Sequence, residues 1–415
     1  MARNRVNRSG KRGNPEAPVG ALDREPAPKS VAPRPAWYDP RSLGWEGYLL
    51  VAAVPAAIGA SLLGASPSVR FAAAALAIIP LAGLMGRATE QLAHRLGPGI
   101  GGLLNATFGN AAELILALFA LRKGLDDVVK ASLTGSIIGN LLLVLGASLL
   151  AGGLKFPIQR FNKTAAGIGS TLMVLASVGL IVPALFHHLA PNATGQEHRV
   201  SIAVSVLLII TYVLSLLFSL VTHRDIISGA REEVTDATSE ATWGLRHATG
   251  ALIGATLFVA WMSEILVGAV EATSESLGLN AVFMGVIVVA IVGNAAEHST
   301  AILMAMKNQM DLAVGIALGS ALQVALFVAP VLVIASYFRD TPMDLVFSTL
   351  EIVSVILAVL IARMVAEDGE SNWLEGAMLL MVYAILAVAF YFLPESTPHL
   401  KGPTPAAAVA RPSGG

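Results

Sequence analysis

One pentapeptide, Gly-Asn-Ala-Ala-Glu, occurs twice in the chain, at Gly109–Glu113 and at Gly293–Glu297, each time inside a long apolar run. A carboxylate in the middle of a membrane helix costs about 3 kcal/mol or more, so by default it marks a functional site. Transporters built from two related halves place such polar groups at a shared centre in the bilayer. The repeat therefore predicts a site formed by Glu113 and Glu297, one acid from each half.

The composition supports a membrane protein. Of the 415 residues, 55% are hydrophobic and only 13% are charged, whereas soluble domains carry about 25% charged residues. Repeated apolar stretches long enough to cross a bilayer predict an all-α polytopic membrane protein with eleven transmembrane helices. The absence of cysteine excludes thiolate metal sites, disulfides and thiol catalysis. The alanine-rich composition, with no targeting signal, favours a prokaryotic cytoplasmic membrane.

The polar segments divide the chain into two inverted halves. Each half contains five helices, and five is an odd number, so each half begins and ends on opposite faces of the membrane. The second half is therefore inserted from the face opposite to that of the first. The Lys and Arg residues of the short loops favour a cytosolic amino terminus and an external carboxyl terminus. The predicted parts are a basic, disordered cytosolic tail with linker (1–44), an extra first helix (45–67), the first repeat (68–221), an acidic cytosolic linker (222–246), the second repeat (247–393) and a disordered tail (394–415).

The similarity between the halves continues beyond the pentapeptide. A Gly-Ser pair follows each glutamate after 22 residues, from 113 to 135 and from 297 to 319. An amide side chain then follows each pair, although the two amides are one position out of step. The candidate ligands are Asn110, Glu113, Ser136 and Asn140 in the first half and Asn294, Glu297, Ser320 and Gln323 in the second.

The atoms with which these side chains could bind a cation are all oxygens. The two glutamates add two formal negative charges. Hard cations such as Ca²⁺ prefer carboxylate, amide and backbone oxygens, whereas softer metals prefer imidazole or thiolate. Only His298 adds an imidazole to the motif. His298 could orient Glu297 through a hydrogen bond, carry protons, or be a satisfied polar residue, and the first role is preferred. Glycines beside the ligands predict close helix approach and locally broken helices.

Four segments resemble the signatures of a known family. Gly102–Leu114 and Gly139–Gly146 resemble the first signature of calcium/proton exchangers, and Gly293–His298 and Gly319–Pro330 resemble the second. The resemblance extends from about Trp45 to Leu393. It implies the calcium/cation antiporter fold, with the two motif glutamates as central ion-binding acids and the other six candidate ligands in support. The histidine that follows the second glutamate resembles the pattern of the proton-coupled branch of this family rather than that of the sodium-coupled branch.

The linker between the halves carries a second group of acids. Three of them are spaced by four residues, so a helix would place them on one face. A solvated linker helix is the simplest interpretation. Similar acidic helices in the resembled family are associated with calcium at the cytosolic mouth, which makes regulation the alternative. The candidate regulatory residues are Glu232, Glu233, Asp236 and Glu240.

The sequence thus predicts a secondary active antiporter without a cofactor. It would exchange Ca²⁺, or another divalent cation that prefers oxygen ligands, for protons by alternating access in a lipid bilayer. Glu113, Glu297 and His298 are the candidates for proton coupling. The nearest alternative is Na⁺-coupled (or Na⁺/K⁺-coupled) calcium exchange on the same scaffold. A passive channel is a weaker alternative. An intramembrane metalloenzyme is also weaker, since no His-Glu-x-x-His motif is present. No nucleic-acid partner is predicted.

Overall fold

The computed structural model describes residues 45–190, 195–223 and 243–394. The predicted tails, apart from Pro394, and most of the predicted acidic linker lie outside these ranges. The four candidate regulatory acids, Glu232, Glu233, Asp236 and Glu240, are among the residues outside.

The first half is a series of helices with a π-helical turn in two places. Its elements are α1 (Trp45–Leu62), α2 (Pro67–Leu96), α3 (Pro98–Phe108), α4 (Ala111–Arg122), α5 (Asp126–Ile138), π1 (Gly139–Val144), α6 (Leu145–Gly153), β1 (Gln159–Arg160), α7 (Lys163–Leu189), α8 (Gln196–Leu217) and π2 (Phe218–Thr222).

The second half repeats this arrangement. Its elements are α9 (Leu245–Leu277), α10 (Ala281–Phe283), π3 (Met284–Val289), α11 (Ala290–Gly293), α12 (Ala295–Ala305), α13 (Met310–Gln323), π4 (Val324–Val328), α14 (Ala329–Ser336), α15 (Thr349–Val365), β2 (Glu370–Ser371) and α16 (Trp373–Tyr391). In the described residues β1 and β2 are the only strands, and they pair antiparallel across the two halves.

The all-helical membrane architecture predicted from the sequence is confirmed. Each of the eleven predicted spans overlaps one helix or consecutive helical elements, although the tenth was predicted to begin at Met343 and its helix begins at Thr349. Seven helical segments of the described chain are individually long and apolar enough to cross a membrane. An eighth crossing is formed if the bent pair 281–293 and 295–305 is one span. The full count of eleven crossings stays a prediction.

The long helices α2 and α9 run antiparallel and define two faces of the protein. At one end the hydroxyls of Ser68 and Ser276 are 2.9 Å apart, and at the other Arg95 Nε donates to the Trp243 carbonyl oxygen at 2.5 Å. We call the end at which α9 begins the linker face and the opposite end the distal face. Alternating helix directions assign every loop to one of these faces.

Glycines bring the two halves into direct contact near the middle of the helices. A Cβ placed on Gly135 of α5 would lie 2.6 Å from the Val286 Cα of π3, and one on Gly285 would lie 2.9 Å from the Val128 carbonyl oxygen. Such small residues allow backbones to pack closely in membrane proteins. The contact places Ser136, the next residue of α5, beside the second half.

Candidate functional site

Both copies of the repeated motif break a helix at their asparagine. Asn110 lies between α3 and α4 with φ −108° and ψ 25°, and Asn294 lies between α11 and α12 with φ −103° and ψ 11°. The second break bends the helix by 60°. Glu113 and Glu297 are therefore the third residues of α4 and α12. The positive end of a helix dipole favours negative charge at this position, and broken helices of transporters use it in the same way.

The carboxylate of Glu113 is held by residues of both halves. Its side chain is buried, with 2% of the residue exposed, and Ser136 Oγ donates a hydrogen bond to Glu113 Oε1. Asn294 Nδ2 in turn donates to Ser136 Oγ at 2.9 Å. A Cβ on Gly293 would lie 3.9 Å from the Glu113 Cβ. The second motif thus packs directly against the acid of the first motif.

The remaining polar side chains extend this contact into one chain of hydrogen bonds. Asn140 Nδ2 donates to Asn294 Oδ1 at 3.2 Å and to Ser320 Oγ at 3.0 Å. Ser320 Oγ donates to Asn110 Oδ1 at 2.9 Å, and Asn110 Nδ2 donates to Gln323 Oε1 at 2.6 Å. Seven of the eight predicted ligand side chains therefore belong to one network, and Glu297 is the exception.

The hydrogen-bond network keeps the symmetry of the inverted repeat even at positions where the two halves do not align in sequence. Asn140 contacts the motif asparagine of the second half, and Gln323 contacts that of the first. Asn140 lies within π1, and Gln323 is the last residue before π4. Single π-helical turns are frequent at functional sites. Neither π1 nor π4 was predicted from the sequence.

Three buried oxygens at this centre accept no hydrogen bond from any described residue. They are Glu113 Oε2, Asn140 Oδ1 and Glu297 Oε2. A buried acceptor without a donor costs about 1–3 kcal/mol, and one explanation for such an atom at a functional centre is a bound ion. Carboxylate and amide oxygens are the ligands that a hard divalent cation prefers. The two halves each contribute one of the carboxylate oxygens.

Residues around the centre are more exposed on the linker-face side than on the distal side. Glu297 is partly exposed, whereas Glu113 is buried. On the linker-face side of the two breaks, α3 and α12 expose polar residues, namely Asn105, Thr107 and Thr300. On the distal side, most residues of α4 and π3 are buried. The two sides of the centre are therefore packed differently in this structure.

The structure does not support the preferred role of His298. Its ring makes no hydrogen bond with any residue of the described chain, Glu297 included, and neighbouring residues of a helix do not face each other. His298 is partly buried in the first turn of α12. The described residues also hold no group of three or more His, Asp or Glu side chains that could bind a metal. The candidate centre therefore depends on two carboxylates supported by amide and hydroxyl groups.

The sequence matches the family described as "Sodium/calcium exchanger protein" over residues 67–221 and 247–392. It is 49% identical over 348 residues to the Ca²⁺/H⁺ antiporter ChaA of Bacillus subtilis, covering 83% of this chain and 99% of that protein. It is 48% identical over 363 residues to a Ca²⁺/H⁺ antiporter of Synechocystis, covering 83% and 97%.

Solved structures agree with these sequence matches. The native structure of YfkE superposes with a TM-score of 0.73 at 45% identity, covering 84% of this chain and 100% of that one. The H⁺/Ca²⁺ exchanger CAX superposes with a TM-score of 0.59 at 12% identity over 84% of this chain and 93% of that one, which supports the fold. The chain is therefore an integral membrane protein that belongs to the sodium/calcium exchanger protein family.

Proposed function

We propose that this chain is a secondary active antiporter that exchanges Ca²⁺ for protons at one central site. The carrying observation is the set of three unpaired, buried oxygens, because two of them are carboxylate oxygens from opposite halves. The proposal agrees with the names of the two sequence relatives described above, both of which are called Ca²⁺/H⁺ antiporters. We further propose that the protein needs no cofactor and carries out no chemical reaction on its cargo.

In the proposed mechanism, cation and protons compete for the same oxygens. The ionised Glu113 and Glu297 bind Ca²⁺ together with Asn140 Oδ1, and backbone carbonyls or water complete the six to eight ligands that Ca²⁺ prefers. Ser136 and Asn294 keep the Glu113 carboxylate oriented toward the site. Protonation removes the charge and occupies the lone pair that the cation needs. Alternating access to the two faces converts this competition into antiport.

We also propose the placement of the protein in its membrane. The excess of Lys and Arg in the loops of the linker face favours a cytosolic linker, with the amino terminus inside and the carboxyl terminus outside. The bacterial relative favours a cytoplasmic membrane. A calcium-responsive role for the linker acids is a proposal that follows only from the sequence.

The proposed coupling predicts that a proton gradient alone drives Ca²⁺ transport. We expect purified protein in proteoliposomes to accumulate Ca²⁺ against its gradient when the lumen is acidic, with no Na⁺ or K⁺ present. The measurement is ⁴⁵Ca²⁺ uptake, with a protonophore added as the control that abolishes it. Uptake driven by a Na⁺ gradient and unaffected by a pH gradient would instead support the Na⁺-coupled alternative. Flux that only ever runs down the Ca²⁺ gradient would indicate a channel.

The shared site also predicts a defined pH dependence. Lowering the pH on the side of Ca²⁺ entry is expected to raise the Ca²⁺ concentration for half-maximal transport, because protons neutralise the binding carboxylates. Where protons bind fully, the rise is about tenfold per pH unit for one competing proton and about 100-fold for two, since each proton enters the equilibrium once. Initial uptake rates at several fixed pH values measure this. A half-maximal concentration that stays constant with pH contradicts a shared site.

A further inference from the structure

One face of α5 carries a row of three polar side chains that pair with the second half on the distal side of the candidate site. The spacing of four residues places them on one face of the helix. Asp126, Lys130 and Thr134 pair with Arg339, Asp344 and Glu351, at donor–acceptor distances of 2.7, 2.5 and 3.3 Å. Because α5 begins at the distal face, the bond between Thr134 and Glu351 is the one closest to the centre.

Glu351 is a buried carboxylate, with 5% of the residue exposed, although it lies at the start of a helix. Its Oε2 accepts from the Ser348 backbone N–H at 2.8 Å, which completes the capping box of α15. The same motif begins α16, where Glu375 is only partly buried. Among the described residues the Glu375 carboxylate accepts only from Asn372. Capping a helix therefore requires neither the burial of Glu351 nor its bond to α5.

The hydroxyl of Thr134 does not bind its own helix. Helical threonines commonly donate to the carbonyl oxygen of the preceding turn, as Thr89 and Thr211 do in this chain. Thr134 is 2% exposed and donates across to α15 instead. Ser136 and Ser320 also donate outside their own helices, and both belong to the central network. Thr134 thus resembles the residues of the centre rather than the other helical threonines.

Thr134 and Ser136 hold α5 from opposite sides. Residues two apart are separated by about 200° around a helix of 3.6 residues per turn. Ser136 donates to Glu113 of α4, whereas Thr134 donates to Glu351 of α15. Asn140 lies about one turn beyond Ser136 and carries one of the three unpaired oxygens. The rotation of α5 about its axis therefore determines where both Ser136 Oγ and Asn140 Oδ1 are directed.

The inverted repeat does not account for this row. Glu113 corresponds to Glu297, so counterparts are 184 positions apart. The counterparts of the three α5 residues are apolar and at most 4% exposed, namely Met310, Val314 and Leu318. The counterpart of Glu351 is Gly167. Buried ion pairs often add no stability over apolar side chains of similar size. Because apolar packing is sufficient in the second half, the polar row of the first half indicates a role other than stability.

We propose that Thr134 and Glu351 are positioning residues for the cation site. Their hydrogen bond holds α5 at the rotation at which Ser136 Oγ donates to Glu113 and Asn140 Oδ1 is directed at the cation. The capping box fixes Glu351 in turn, because Ser348 holds its second oxygen. This inference rests on the proposed function, since the ligands that the bond positions are those of the proposed Ca²⁺ site.

Thr134→Val tests the bond, because valine keeps the branched shape of the side chain and removes only the hydroxyl. Isothermal titration calorimetry with CaCl₂ on the purified full chain in detergent, at fixed pH, measures the Kd for Ca²⁺. We expect T134V to raise this Kd about fivefold, as the loss of one buried hydrogen bond predicts. T134S keeps the hydroxyl and should bind as the parent does. E351Q offers one oxygen to two donors and should also raise the Kd. The double variant should match the larger single effect, since both substitutions break one bond.

E375Q is the matched control, because it changes the same position of the capping box in α16, which has no bond to α5. It should leave the Kd unchanged. A T134V protein with the parental Kd overturns the proposal, even if its melting temperature or the fraction of protein that binds is lower, because the bond then serves stability alone. An E375Q effect equal to that of E351Q also overturns it. Binding needs no proton gradient, so this outcome is independent of the uptake experiments that test calcium–proton exchange.

Discussion

Glu113→Gln or Glu297→Gln is expected to abolish proton-driven Ca²⁺ uptake. Glutamine keeps the size and one oxygen of the side chain but removes one of the two negative charges at the centre. We expect transport to fall by more than about 100-fold, which corresponds to about 2.7 kcal/mol of lost stabilisation. The measurement is ⁴⁵Ca²⁺ uptake into proteoliposomes under a fixed pH gradient, normalised to reconstituted protein.

The matched control for these substitutions is Glu271→Gln. Glu271 lies on α9, is exposed, and is not part of the central network, so the same chemical change there should leave uptake unchanged. Thermal melting of each variant in detergent checks that the protein is folded. Near-normal exchange by either central variant would refute a site in which both acids bind cation and protons.

Gly135→Ala is expected to destabilise the protein strongly. The added Cβ would overlap the Val286 carbonyl group, with the Val286 carbonyl carbon and Cα at 2.6 Å. The obstacle is backbone rather than the end of a flexible side chain, so α5 and π3 must separate. Overpacking of this kind typically costs about 1–3 kcal/mol. The separation also moves Ser136 away from Asn294, so uptake should fall together with the melting temperature.

Gly139→Ala is the matched control for this prediction. It is the same substitution one helical turn later, where an added Cβ would meet nothing within 4 Å. We expect its melting temperature to equal or slightly exceed that of the parent. The experiment compares melting by size-exclusion fluorescence for both variants. Equal stability of the two variants would show that the contact between α5 and π3 is looser than the structure indicates.

The central arrangement could be predicted from the sequence because its main signal is a repeat. Two identical pentapeptides with equal spacing to a Gly-Ser pair identified both broken helices and all seven side chains that the structure joins by hydrogen bonds. The glycine next to each asparagine indicated where the helices break. Periodicity and local chemistry are sufficient for such features, since each depends on only a few neighbouring residues.

Other features depend on packing that no single segment encodes. Asn140 and Gln323 each contact the motif asparagine of the opposite half although the two residues do not align, and this follows only from the joined halves. The contacts of His298 likewise depend on the direction of its ring. That direction could not be predicted from its position next to Glu297 in the sequence.

The hydrogen-bond network has a consequence for how the protein is made. Ser136 belongs to the same half as Glu113 and donates to it, so this acid has a partner as soon as the first half has entered the bilayer. The links from Ser136 to Asn294 and from Asn140 to Ser320 must wait for the second half to leave the ribosome. Glu297 then arrives at a centre whose first half is already in place. The order of synthesis therefore gives Glu113 a polar neighbour before the second half is made, whereas Glu297 is made only after all the first-half members of the network.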